Sequence, residues 1–209
     1  MGTENVVLMK MARKSLQGKW GPAIGFSLLF LLTVGGLQAP AKYHPLSEIA
    51  WFIFAGPLLL GMVTYFLTIS RDHEGRLEQL FSGFFNFKTA MITYLLVFVY
   101  VLLWTLLLII PGIIAAITYS MTFYIIADDS SIGPNEAIDK SKKMMDGFKW
   151  KFFCLSLRFL GLAILCLFTL GIGFLWLFPH MQVTIAKFYD DVRSDFSKRE
   201  GLYNMTVIS

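Results

Sequence analysis

Residues Thr89 to Ala127 read TAMITYLLVFVYVLLWTLLLIIPGIIAAITYSMTFYIIA, thirty-nine residues without one Asp, Glu, Lys, Arg or His. As one straight helix this run would be about 58 Å long at ~1.5 Å per residue. A bilayer's hydrocarbon core is about 30 Å thick, so the run is too long to cross once and suits two crossings. Near its middle lies Leu107-Leu108-Ile109-Ile110-Pro111-Gly112-Ile113-Ile114. Pro111 has no amide to donate and biases Ile110 away from helix, so one helix stops there. Proline is equally suited to open the next helix. The spacing therefore predicts a transmembrane hairpin with arms 89–109 and 111–128, turning at Pro111 and Gly112.

The rest of the composition agrees. The chain has 209 residues, of which 56% are hydrophobic and only 15% charged, with 20 Phe, and its mean hydropathy is +0.63. Soluble domains carry roughly 25% charged residues, so this balance belongs to an integral membrane protein. Cys154 and Cys166 fall twelve residues apart in one predicted helix, too far apart along it for a disulfide or metal pair, and are read as packing residues. Residues 1–20 lack a continuous apolar core, so no signal peptide is expected. Met1-Gly2 without Ser or Thr at position 6 also fails the myristoylation pattern.

The remainder follows the same plan. Residues 6–20 form an amphipathic helix, with Met9, Ala12, Leu16 and Trp20 opposite Lys10, Arg13, Lys14 and Gln17; such a helix suits an anionic leaflet surface. Spans are expected at 22–38 and 49–70, joined by the polar turn around Lys42, with a kink at Gly56-Pro57. A second interfacial helix is expected at 74–88. Pro134 opens a third, 134–149, whose Ile138, Ser141, Met145 and Phe148 make a membrane-facing stripe. Spans 152–170 and 173–189 follow, broken near Gly171-Ile172-Gly173, and 192–209 is expected to be a loose tail.

Three units thus recur, each an amphipathic helix, two spans and a charged return. The lead-ins Gly18-Lys19-Trp20, Gly83-Phe84-Phe85-Asn86-Phe87-Lys88 and Gly147-Phe148-Lys149-Trp150 look alike. So do the returns Ser70-Arg71-Asp72, Ala127-Asp128-Asp129 and Tyr189-Asp190-Asp191. Lys and Arg number four in 1–20, three in 71–88, five in 140–151 and four in 187–199, against Lys42 alone in the opposite loops. By the positive-inside rule, six spans then place both termini in the cytoplasm. The reading is one membrane domain over 1–209: all-α, six spans as three hairpins, with interfacial amphipathic helices on the cytoplasmic side.

Several of these residues together resemble the bacterial membrane-protein family catalogued as domain of unknown function 975. They are Leu103-Trp104-Thr105 through Pro111-Gly112-Ile113-Ile114, Tyr119-Ser120-Met121-Thr122, Ala137-Ile138, Ser141, Met144-Met145, Gly147, Lys149-Trp150-Lys151 and Gly171-Ile172-Gly173. The resemblance covers nearly the whole chain and implies a bacterial integral membrane protein without an established activity. The family pattern has Trp at Leu162 and Tyr at His180, so the resemblance does not make His180 a family-wide site.

No metal cluster, nucleophile elbow, phosphate-binding glycine loop or HExxH motif is present. No catalytic residue, cofactor, metal or nucleic-acid partner is therefore expected. Asp128-Asp129 and Asp190-Asp191 are read as solvated carboxylates. Arg158, two turns into the fifth span, costs about 2.5–3.5 kcal/mol if central, but near an end it snorkels to the interface. His180 follows Pro179 midway through the sixth span. It is either a functional polar group or a neutral imidazole bonded across the bundle to Tyr119, Ser120 or Thr122; the second is favoured. The leading function is a non-enzymatic membrane protein that organises anionic lipid, a protein partner or further copies of itself at the cytoplasmic leaflet. The alternative is a transporter or exporter component using the breaks at Pro111, Gly112, Gly171 and Gly173 around His180.

Overall fold

A computed structural model describes residues 2–38, 46–169 and 171–208; the polar turn around Lys42 and position 170 of the third turn lie outside the described residues. Among the described residues every regular element is a helix. In chain order these are α1 (Asn5–Ser15), α2 (Trp20–Gln38), α3 (Leu46–Ser70), a 3-10 helix (Leu77–Phe84), α4 (Phe87–Leu107), α5 (Ile109–Tyr119), α6 (Thr122–Asp128), α7 (Pro134–Met144), α8 (Lys149–Phe168) and α9 (Phe174–Ile208). Four stretches, Phe52–Ser70, Phe87–Leu107, Ile109–Asp128 and Lys149–Phe168, are long and apolar enough to cross a membrane. The pair Asn5–Ser15 and Trp20–Gly36, bent by 99°, is a fifth only if it counts as one broken span, so the described residues hold four or five such stretches against the six expected. The arm expected at 173–189 is the start of α9, which carries His180, Gln182 and Lys187 and runs on without a break.

The central run does break into a hairpin, and α4 and α5 pack side by side. The break falls at Leu108, whose φ of −162° and ψ of 145° are extended, rather than at Pro111. Pro111 sits within the first turn of α5, where the missing amide has no intrahelical partner to lose. Leu108 N still donates to the Trp104 carbonyl at 3.1 Å, and Gly112 N to the Leu108 carbonyl at 3.2 Å, so the turn uses part of its own backbone polarity. The descending arm breaks again between α5 and α6. There Ser120 and Thr122 hydroxyls donate back to the carbonyls of Ile117 and Tyr119, at 2.7 and 2.8 Å.

The lead-ins of the first and third units are the same turn. Gly18 and Gly147 both adopt φ near +80°, at 77° and 81°, the left-handed conformation only glycine reaches without strain. Leu16 N bonds to Ala12 O and Lys19 N to Leu16 O; Met145 N bonds to Ser141 O and Phe148 N to Met145 O in the same places. The second lead-in differs. Its 3-10 helix runs along α3, with Gly83 against the Pro57 carbonyl and Gly61 against the Leu80 carbonyl, so close that neither position has room for a Cβ. α3 continues through Pro57 without interruption.

Two contiguous cores result. Ala12, Leu16, Phe26, Tyr65, Phe66, Leu80 and Val183 form one, knitted by the stacked rings of Phe26 and Tyr65. Leu8, Met121, Tyr124, Met144, Phe152 and Phe188 belong to the other. The stripe Ile138, Ser141, Met145 and Phe148 is buried in protein instead of facing a membrane: the apolar face of α7 is real, but α4, α5 and α6 cover it. Residues 192–208, expected to be loose, continue α9, braced by the i,i+4 pair Arg199–Asp195 at 3.0 Å. At the opposite end of the molecule the hairpin tip is bare, with Leu106 to Ile110 each 64–75% exposed.

Candidate functional site

The three return segments meet. Arg71, at the end of α3, reaches both other returns with one guanidinium. Its Nη1 and Nη2 donate to the two carboxylate oxygens of Asp128 at 2.6 and 3.0 Å. Its Nε and Nη2 donate to Asp190 Oδ1 at 3.2 and 2.7 Å. Tyr189 Oη and Arg193 Nη1 complete the shell of Asp128, at 2.9 and 2.5 Å. The Asp128 side chain is only 10% exposed, so it is not a solvated carboxylate but the centre of an ion-paired knot. The hydrogen bond from Arg71 to Asp128 holds the guanidinium well above its ordinary pKa. A bidentate fork on one carboxylate and a second carboxylate on its flank is the geometry guanidinium makes and ammonium does not. Sequence alone carried one usable signal: the three residues occupy the same position in the three returns.

A second knot ties the N-terminus in. Asp191 accepts from Lys151 Nζ at 2.7 Å, from Thr3 N at 3.0 Å and from Thr3 Oγ1 at 2.5 Å. Burial pushes the Asp191 carboxyl up, but Lys151 and Thr3 outweigh it and hold it below the usual carboxylate range. Lys151 also lies over the rings of Phe148 and Phe188, at 5.5 and 5.3 Å.

The polar residues singled out from the sequence are not brought together. His180 Nε2 lies 3.1 Å from the carbonyl oxygen of Met9 on α1; a carbonyl only accepts, so the Nε2–H tautomer is required. Phe159 packs edge-on against the same imidazole at 5.8 Å. Tyr119 instead faces Tyr100, with ring centroids 5.8 Å apart, while Ser120 and Thr122 serve the α5–α6 break. Arg158 is exposed on α8. Gly171, with φ 84°, turns the third hairpin, and Gly173 packs against Cys166.

Two grooves run along hairpins beside amphipathic helices. One, of about 320 Å³, lies on α4–α5 between Trp104, Pro111, Ile114, Thr118 and Tyr119, and is rimmed by Lys142 and Lys149. The other, of about 450 Å³, lies on α8–α9 between Cys166, Thr169, Gly173, Trp176 and His180, and is rimmed by Arg13 and Trp20. Pro111 and His180 therefore line separate grooves.

These features define a class: an all-α protein of apolar helical hairpins with membrane-crossing composition. Within it, the chain belongs to the family described as protein of unknown function (DUF975), which it matches over residues 1–117 and 105–195. No curated protein matches it, and no solved structure does.

Proposed function

We propose that this is a non-enzymatic integral membrane protein that organises anionic lipid at the cytoplasmic leaflet of a bacterial inner membrane. Its three hairpins enter from the cytoplasmic side as six spans, with both termini cytoplasmic. The observation that carries the reading is the knot of Arg71, Asp128 and Asp190. It puts the return ends of all three hairpins at one end of the molecule, opposite the bare apolar tip of α4–α5. The asymmetry of Lys and Arg supports the same orientation. The amphipathic helices then lie at the interface with their basic residues toward lipid headgroups. A transport pathway would draw Pro111 and His180 to one cavity, and they line two.

The test is topological. Reporters fused after residue 42, near 112 and near 172 should read as external; those near 80, 140 and 200 should read as cytoplasmic. An external reading near 140, or release of the protein from membranes by alkaline carbonate, overturns the proposal.

A further inference from the structure

We infer that the two grooves are one binding site built twice, each holding an anionic phospholipid with its phosphate on the basic rim and an acyl chain along the hairpin. This rests on the membrane reading above and names the ligand of its lipid-organising role. The correspondence between the grooves is residue by residue. Gly18 and Gly147, the matching left-handed turns, are 129 positions apart. The same shift carries Arg13 onto Lys142 and Trp20 onto Lys149, the two rims. The returns Asp128-Asp129 and Asp190-Asp191 are 62 apart, and that shift carries Trp104, Pro111, Ile114 and Thr118 onto Cys166, Gly173, Trp176 and His180. Each hairpin is thus capped by the amphipathic helix of a different unit: the second by α7, the third by α1.

The two grooves share almost no side chains by type, yet both keep a cation at the position of Arg13 and Lys142. An apolar trough ending in a fixed positive charge, with Trp or Tyr beside it, matches an acyl chain below an anionic headgroup. Asp139, one turn from Lys142, borders a neighbouring depression with it, so Lys149 makes the cleaner phosphate contact in the second hairpin. The corresponding place on the first hairpin is closed. There Gly61 and Gly83 let the 3-10 helix and α3 meet backbone to backbone. The stoichiometry is therefore two lipids per chain, not three.

The experiment uses the full chain, stripped of lipid in a nonionic detergent and titrated with phosphatidylglycerol or phosphatidylcholine, with bound lipids counted by native mass spectrometry. Two phosphatidylglycerols should bind before any others, and phosphatidylcholine should show no such step. Arg13→Gln should weaken one of the two, and Lys142→Gln with Lys149→Gln the other, each by about fivefold to tenfold. Lys140→Gln, on the same helix but off the groove, should change neither. Two tight events surviving all three rim substitutions, equal uptake of phosphatidylcholine, or displacement by free glycerol phosphate each overturns the inference. Carbonate extraction of the same variants separates the two readings. Wild type and variants that stay in the membrane but bind lipid alike sink only the paired sites, whereas wild type released from the membrane sinks the proposed function itself.

Discussion

Replacing Arg71 with Met removes four charge-assisted hydrogen bonds while keeping most of the side chain's apolar length. Breaking a fully buried ion pair costs about 3–5 kcal/mol because an uncompensated charge is left behind. Two features lower that figure here. Asp128 keeps Tyr189 and Arg193, and Asp190, 30% exposed, turns to solvent. Hydrogen bonds to charged groups contribute about 1.5–3 kcal/mol, and about 2 kcal/mol is the expected loss. For a chain of this size that is a fall of about 4–8 °C in thermal midpoint, followed by tryptophan fluorescence in detergent. Adding Asp128→Asn to Arg71→Met should cost less than the sum of the two single changes, because the second substitution removes the charge the first one stranded. A midpoint within about 1 °C of wild type, or strictly additive effects, would refute the view that the knot clamps the three returns together.

Acid should loosen the second knot. Asp191 titrates below the usual carboxylate range when folded, so its stabilisation is complete above about pH 4 and is lost as pH falls through the folded value. Lys151→Met should flatten that limb of a midpoint-against-pH curve, and an unchanged curve would exclude the pair as its source. Gly83→Ala drives a methyl into the Pro57 carbonyl and should destabilise by about 1–3 kcal/mol. Gly25→Ala, in open space on α2, should be neutral or stabilise by up to about 1 kcal/mol; similar midpoints for the two would disprove the close approach. Gly18→Ala and Gly147→Ala meet no neighbour within 4 Å, yet each should destabilise by about 1–2 kcal/mol through left-handed strain alone. Equal losses at both would support their equivalence, and no loss at either would refute the strain.

Local rules made the hairpin legible. A charge-free run with Pro-Gly near its middle had to fold back; the turn moved from Pro111 to Leu108, because proline fits within the first turn of a helix, and the second arm broke once more between α5 and α6. The likeness of two lead-ins was legible as well, since glycine before a basic aromatic stretch marks the same turn at Gly18 and Gly147, whereas Gly83 makes a different one. What escaped were facts about partners. The stripe Ile138, Ser141, Met145 and Phe148 shows periodicity, which reveals an apolar face but not whether lipid or protein covers it. His180 finds Met9, 171 residues away, and no spacing rule connects them. Asp128 and Asp129 look alike in sequence, yet the first is enclosed by Arg71, Tyr189 and Arg193 while the second is exposed.

The bare hairpin tip has a mechanical consequence. Between Tyr119, beside the lysine-rimmed groove, and Ile109 at the tip, α5 has eleven residues, a rise of about 15 Å. On α8, exposed Arg158 stands ten residues before the helix end at Phe168, again about 15 Å. Both hairpins thus carry a charged shoulder about half a hydrocarbon thickness from their tips. For the proposed spans to be complete, a bilayer around this protein dimples toward the tips, so that shoulder and tip both find water. Such thinning costs a fraction of a kcal/mol for each Å of mismatch, so it is smaller where the bilayer is already thin. On the proposed topology, the cost of seating the protein therefore depends on how thick the surrounding bilayer is.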